Sequence, residues 1–160
     1  MNLGQSLYAI GAMLILSLIV LRMNNTILTT DEIVLDSKLG VLGTSIGTSI
    51  IEEASRLPFD QNTIEDGVSS VSSLTSAPFV REVSTVYDDF DDFHNHTQTD
   101  TIYSIPFNSR CTVTYINAND LNGSTNSKTW HKKLTIRITT PFSPGDTLSL
   151  STVYSYWYFR

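Results

Sequence analysis

The stretch GQSLYAIGAMLILSLIVLR, Gly4 to Arg22, constrains this chain more than any other. From Leu3 to Leu21 only Gly4, Gln5, Ser6, Gly11 and Ser17 interrupt the apolar residues. A helix over that span rises ~28 Å at 1.5 Å per residue, enough to cross a bilayer core. A core helix of a small domain would keep one polar face, and Tyr8 to Leu21 has none. The segment therefore calls for a membrane or the interior of a polymer. No Lys or Arg lies between Met1 and Gln5, which sets the run apart from a secretory signal peptide with its basic leading end.

The remainder is that of a folded protein. At 160 residues with 41% hydrophobic content there is room for one compact domain plus an appendage. Only 16% of residues are charged, and Ser, Thr and Asn supply much of the polarity, as in extracellular and fibrous proteins. The net charge of −6, with scattered basic residues, argues against a nucleic-acid partner, because phosphate neutralisation needs clustered Lys and Arg. Cys111 is the single cysteine, so the chain has no internal disulfide, and it reads as a small buried hydrophobe.

Beyond Arg22 the weak helix formers Asn24, Asn25, Thr26, Thr29 and Thr30 predict a bend or a melted turn, with Thr30 or Asp31 capping a renewed helix. Leu35, Leu39, Leu42, Ile46, Ile50, Ala54 and Leu57 then recur at spacings of three and four and form one apolar stripe, stopped by Pro58. Gly40, Gly43 and Gly47 on this helix mark either close backbone approach to another element or glycines tolerated by a helix held through its stripe. The expected organisation is an apolar helix over 1–29, an amphipathic helix half over 30–58, a Ser-rich connection over 59–78 and a β-domain over 79–160.

In the last region the period becomes two. Cys111, Val113 and Tyr115 alternate with Thr112 and Thr114; Leu134, Ile136 and Ile138 alternate with Thr135, Arg137 and Thr139; Leu148 and Leu150 alternate with Ser149 and Ser151. NANDLNGSTNSK and PFSPGD supply turn chemistry between these strands, which predicts an antiparallel meander. Its apolar face needs a cover, and the stripe from Leu35 to Leu57 is available. The expected fold class is α+β: a long N-terminal helix, apolar in its first half and amphipathic in its second, packed on a small C-terminal antiparallel sheet, a lollipop outline.

This layout, with Gly4, Gln5, Ser6, Leu7 and Tyr8 in order at the head of the helix, resembles the type IV pilins and the pseudopilins of type II secretion. The similarity covers about the first third of the chain and extends to TSIIEEASRLPFD at the end of the helix. It implies a leader peptidase acting between Gly4 and Gln5, an inner-membrane stage before assembly, and a pilus or secretion assembly machinery as partner. It also implies a homopolymer at the cell surface whose core is built from Leu7, Tyr8, Ala9, Gly11, Ala12, Leu14, Leu16 and Leu18. Family members usually carry Glu where this chain has Ala9, so packing has to replace the ion pair that such a Glu makes with a neighbouring amino terminus. The resemblance thus predicts a structural subunit of an extracellular filament, with a minor pseudopilin or single-pass membrane-anchored secretion component as the alternative.

YDDFDDFHNH is the one dense cluster of ligand-type side chains. Asp88, Asp89, Asp91 and Asp92 are candidate calcium ligands, and several pseudopilins fold around calcium, but the spacing lacks the alternation and Gly of an EF-hand loop. The competing and preferred reading is a solvated acidic loop anchored by Phe90 and Phe93, with no cofactor. His94 and His96 lack a nearby Cys or third His for zinc. No nucleophile elbow or phosphate-binding Gly-rich loop occurs, so an enzyme is not expected. Asn95-His96-Thr97 and Asn122-Gly123-Ser124 fit the acceptor pattern for N-glycosylation. Tyr154, Tyr156, Trp157, Tyr158 and Phe159 crowd the C-terminal end and are expected to meet a neighbouring subunit.

Overall fold

The computed structural model describes residues 3–80 and 86–156. Helix α1 spans Leu3–Ser55, followed by strands β1 (Thr97–Ile102), β2 (Ile105–Asn117), β3 (Asp120–Thr125), β4 (His131–Thr139) and β5 (Leu148–Ser155). The chain divides into two compact units, Met1–Gly40 and Val41–Arg160.

In the first unit the helix runs without the break expected near Asn24. The hydroxyls that make Thr a weak helix former here turn back onto the helix: Thr26 donates to the Arg22 carbonyl at 2.9 Å, Thr29 to that of Asn25 at 2.7 Å and Thr30 to that of Thr26 at 2.8 Å. With its polar side chains satisfied within one turn, the segment has no need to cap and restart. Asp31 and Glu32 therefore sit exposed in mid-helix and cap nothing.

In the second unit the helix residues Val41–Ser55 pack on a 5-stranded antiparallel sheet. Strand β2 is its axis, with β4 on one side and β1 and β3 pairing successive parts of its other side, and β5 lies beyond β4. The period-two reading holds for β2, β4 and β5. Phe107, Cys111, Val113 and Tyr115 face inward beside Leu134, Ile136 and Ile138 and, from the helix, Ile46, Ile50 and Ala54. Burial pushes the Cys111 thiol up to about 11, in keeping with an inert core residue. Gly43 and Gly47 are close-approach positions: a Cβ on Gly47 would lie 3.0 Å from Leu150 Cδ1 and 3.2 Å from Ile138 Cδ1, and one on Gly43 would lie 3.0 Å from Leu148 Cδ2. A Cβ on Gly40 would meet nothing.

Several details differ from the sequence-based expectation. The helix ends at Ser55, where Arg56 and Leu57 donate to the Glu53 and Ala54 carbonyls in a tightened turn, because the residue before Pro58 is barred from continuing it. The Ser-rich connection contains two short 3-10 turns, Gln61–Thr63 and Val71–Ser73, capped by Asp60 and Ser70. Among the described residues strand structure begins at Thr97, well after Phe79, and Phe79, Phe90 and Phe93 are buried anchors ahead of it. The stretch read as the turn between the second and fourth strands holds β3 as well.

Candidate functional site

Two features depart from what a small soluble domain shows: an apolar helix surface with no cover and a charged cluster buried in the core.

The first runs along α1. Leu7 is 72% exposed, Tyr8 82%, Leu14 62% and Leu16 and Leu18 62% each, and Ala9 and Ala12 are exposed beside them. Gly11 is half-covered, and a Cβ placed there meets nothing. Gly4 and Gln5 are exposed helical residues. The Ser6 hydroxyl donates to the Leu3 carbonyl at 2.9 Å and that of Ser17 to the Met13 carbonyl at 2.8 Å, so neither hydroxyl needs water. The helix is long enough and apolar enough to cross a membrane, and none of its most apolar stretch is buried.

The second feature lies under the sheet. Lys132 on β4 is completely buried; its Nζ donates to the Phe59 carbonyl at 2.7 Å, to Asp60 Oδ2 at 2.8 Å and to Asp91 Oδ1 at 2.5 Å. The rings of Phe59, Phe79 and Tyr115 stand 4.5, 5.0 and 5.5 Å from the ammonium. Asp60 also caps the following 3-10 turn and accepts from the Thr75 amide at 2.9 Å and the Thr75 hydroxyl at 2.9 Å. One lysine thus ties three segments remote in sequence to the strand.

The two carboxylates respond oppositely. Burial by itself would raise Asp60, but the Lys132 ammonium and the hydrogen bonds from Thr75 and Asn62 outweigh it and hold the carboxyl below its usual range. Asp91 is pushed up to about 6 by burial, which the Lys132 ammonium only partly offsets. Asp89 is pushed up to about 7 by burial and by the Asp91 charge. Asp92 is also raised by burial.

The acidic loop is therefore not solvated. Asp89, Asp91 and Asp92 are 3%, 6% and 5% exposed, because Phe90 and Phe93 carry the intervening carboxylates inward with them. Their oxygens turn to different partners: Asp89 Oδ1 accepts from the Asp92 amide at 3.0 Å, Asp92 Oδ2 accepts from the Asp88 amide at 3.0 Å, and Asp91 meets Lys132. Asp88 is half-buried. Among the described residues no three of the side chains that ligate metals converge on one point. The histidines are engaged as well: His94 Nδ1 lies 2.8 Å from the Val113 carbonyl, and His96 Nδ1 lies 2.6 Å from the Tyr87 hydroxyl.

At the C-terminal end, Tyr154 and Tyr156 are half-buried in their own domain. Tyr154 packs on Phe59 and Phe90, and its hydroxyl donates to the Leu57 carbonyl at 3.3 Å. Tyr156 stacks on Trp130, and its hydroxyl accepts from the Val68 amide at 3.0 Å. Both rings hold the 57–68 segment. Trp157, Tyr158 and Phe159 lie outside the described residues.

Sequence reasoning missed Lys132 and Asp60, although one signal was present. The inward series Leu134, Ile136 and Ile138, continued two residues back, lands on Lys132, a charge on an apolar face. No family model matches this chain, nor does any curated protein or solved structure.

Proposed function

We propose that this chain is a structural subunit of a pilin-like extracellular filament and that it assembles through its N-terminal apolar helix. The observation that carries the reading is the uncovered circumference of α1 between Leu7 and Leu21, where large apolar side chains are about 50–80% exposed. A surface of that kind has no place in water. A bilayer holds it before assembly, and a bundle of like helices holds it afterwards.

The transfer between these environments is nearly balanced, since lipid and bundle are similarly apolar, so side-chain packing decides it. Ala9 suits such a core: an unpaired carboxylate there would cost several kcal/mol, of the order of 3–5, whereas a methyl group needs only to fit. Gly11 and Ala12 allow close helix approach. The Ser6 and Ser17 hydroxyls, bonded within their own helix, enter without loss. The β-domain then coats the outside with the Ser and Thr of its outward strand positions. In the pilin-like scheme the peptide bond after Gly4 is the processing point, and the inner membrane and an assembly machinery precede the filament. The role is structural rather than enzymatic.

Negative-stain microscopy of cell-surface material tests the reading. Abundant filaments composed of this one chain support it. Isolated membrane-embedded copies, with no filaments at any expression level, would instead assign the chain to a membrane-anchored secretion component.

A further inference from the structure

The outward face of the sheet carries a second feature, apart from the apolar helix. Position by position, Thr97 on β1 pairs with Arg110 on β2, Arg110 with Arg137 on β4, and Arg137 with Ser149 on β5, so the two guanidiniums are direct cross-strand neighbours in a rung flanked by hydroxyls. Like charges placed opposite one another in a sheet are destabilising. Neither arginine has an ion pair or a side-chain hydrogen bond to any described residue, although acidic residues outnumber basic ones in the chain by 16 to 10. By contrast, Lys128, Lys132 and Lys133 all donate to backbone carbonyls or carboxylates.

The arginines line a groove of about 670 Å³ whose other walls are Thr, Ser, Asn and Gln. No acidic or apolar side chain lines it. That composition selects among ligands. A protein partner would need an apolar anchor at the centre of its footprint, and a flat apolar metabolite would need an apolar wall. Nucleic acid would need more cations and stacking rings. A sugar acid needs what is present: paired guanidiniums for its carboxylate or sulfate, and side-chain hydroxyls and amides for its ring hydroxyls.

We propose that this groove binds the oxyanion group of an acidic polysaccharide, with Arg110 and Arg137 holding the anion and Thr97, Asn108, Thr139 and Ser149 facing the sugar. The inference is independent of polymerisation, since every lining residue belongs to one β-domain.

The test uses the purified full chain in detergent micelles and three oligosaccharide probes of equal length: a uronate oligomer, a sulfated oligomer and a neutral dextran. Binding is followed by calorimetry. At least one acidic probe should bind saturably, weaken as salt rises and be displaced by inorganic sulfate, while dextran does not bind. Arg110→Ala and Arg137→Ala should each weaken binding about tenfold or more with unchanged circular dichroism, and Arg56→Ala, an exposed arginine in the turn after the helix, should leave it unchanged. Preference for the uronate or for the sulfated oligomer identifies which oxyanion the groove takes. Failure of both acidic probes, equal binding by the arginine variants, or, with oligoglutamate added as a fourth probe, tighter binding of it than of either acidic sugar would overturn the proposal.

Discussion

The two ends of the molecule invert the same rule. Along Leu7–Leu21 apolar side chains lie outside, while around Lys132 an ammonium and two carboxylates lie inside. The helix surface finds no cover among the described residues of the chain. The charged cluster is satisfied entirely within the chain, by carbonyls, rings and opposite charges. An exposed apolar surface therefore points to partners, whereas a buried ion cluster points to how loops are fixed. Through that cluster the segments at Phe59–Asp60 and Asp91 are held against strand β4.

The largest effect should come from the buried end. Lys132→Met leaves Asp60 and Asp91 buried without their cation and should cost about 3–5 kcal/mol in urea unfolding. Adding Asp91→Leu should recover part of that loss, since the coupling energy resides in the pair. If Lys132→Met unfolds at the wild-type midpoint, the loops are not held by this cluster.

Next are the glycines, which read the comparison from one helix. Gly47→Leu drives a side chain into Leu150 and Ile138 and should destabilise the β-domain by about 1–3 kcal/mol. Gly11→Leu meets nothing within its chain and should leave the domain's melting unchanged, yet it should impair assembly by overfilling a close helix contact. Normal filaments from Gly11→Leu would break the packing account of the bare segment.

The acidic loop gives a pH signature. Asp89 and Asp91 are raised from the ordinary 3.8 to about 7 and about 6, so between roughly pH 4 and 7 the folded chain binds more protons than the unfolded one. Their stabilisation is complete below pH 3.8 and is lost as pH rises through 6 and 7. Asp60, which is lowered, acts the other way, with stability lost as pH falls through its folded value. Stability should therefore peak under mildly acidic conditions. Stability should decline from pH 5 to 7.5, and the decline should shrink in Asp89→Asn, by thermal melts across that range. A flat profile, or one rising toward neutrality, contradicts the cluster's electrostatics.

Much of this was legible beforehand, for identifiable reasons. The apolar run, the stripe through Ile46 and Ile50 and the alternation in β2, β4 and β5 each write one buried face into the sequence. Strand β1, TQTDTI, was not legible, because as an edge strand it buries little on either face. Its hairpin hid as well: Tyr103 and Ser104 adopt φ of 50° and 67°, a conformation usually signalled by Asn-Gly. The burial of the acidic loop was hidden because the Lys132 that pairs with Asp91 lies far along the chain and is reached only through the fold.

The hairpin supplies a smaller test. Replacing Tyr103-Ser104 by Asn-Gly relieves side chains held at positive φ and should stabilise the domain by about 0.5–1 kcal/mol in urea melts. Smallest of all is the expected effect of calcium: melting curves with calcium and with chelator should coincide, and a gap between them would promote Asp88, Asp89, Asp91 and Asp92 to a metal site.

The central claim is that the uncovered helix is the assembly element and that the β-domain stands without it. Electron microscopy after detergent removal, on the full chain and on a chain beginning at Thr30, tests this directly. The account predicts filaments with the apolar helices at their axis from the full chain, and soluble, folded, β-rich monomers from the shortened one. Filaments from the shortened chain, or a full chain that remains a dispersed monomer in water, would contradict it.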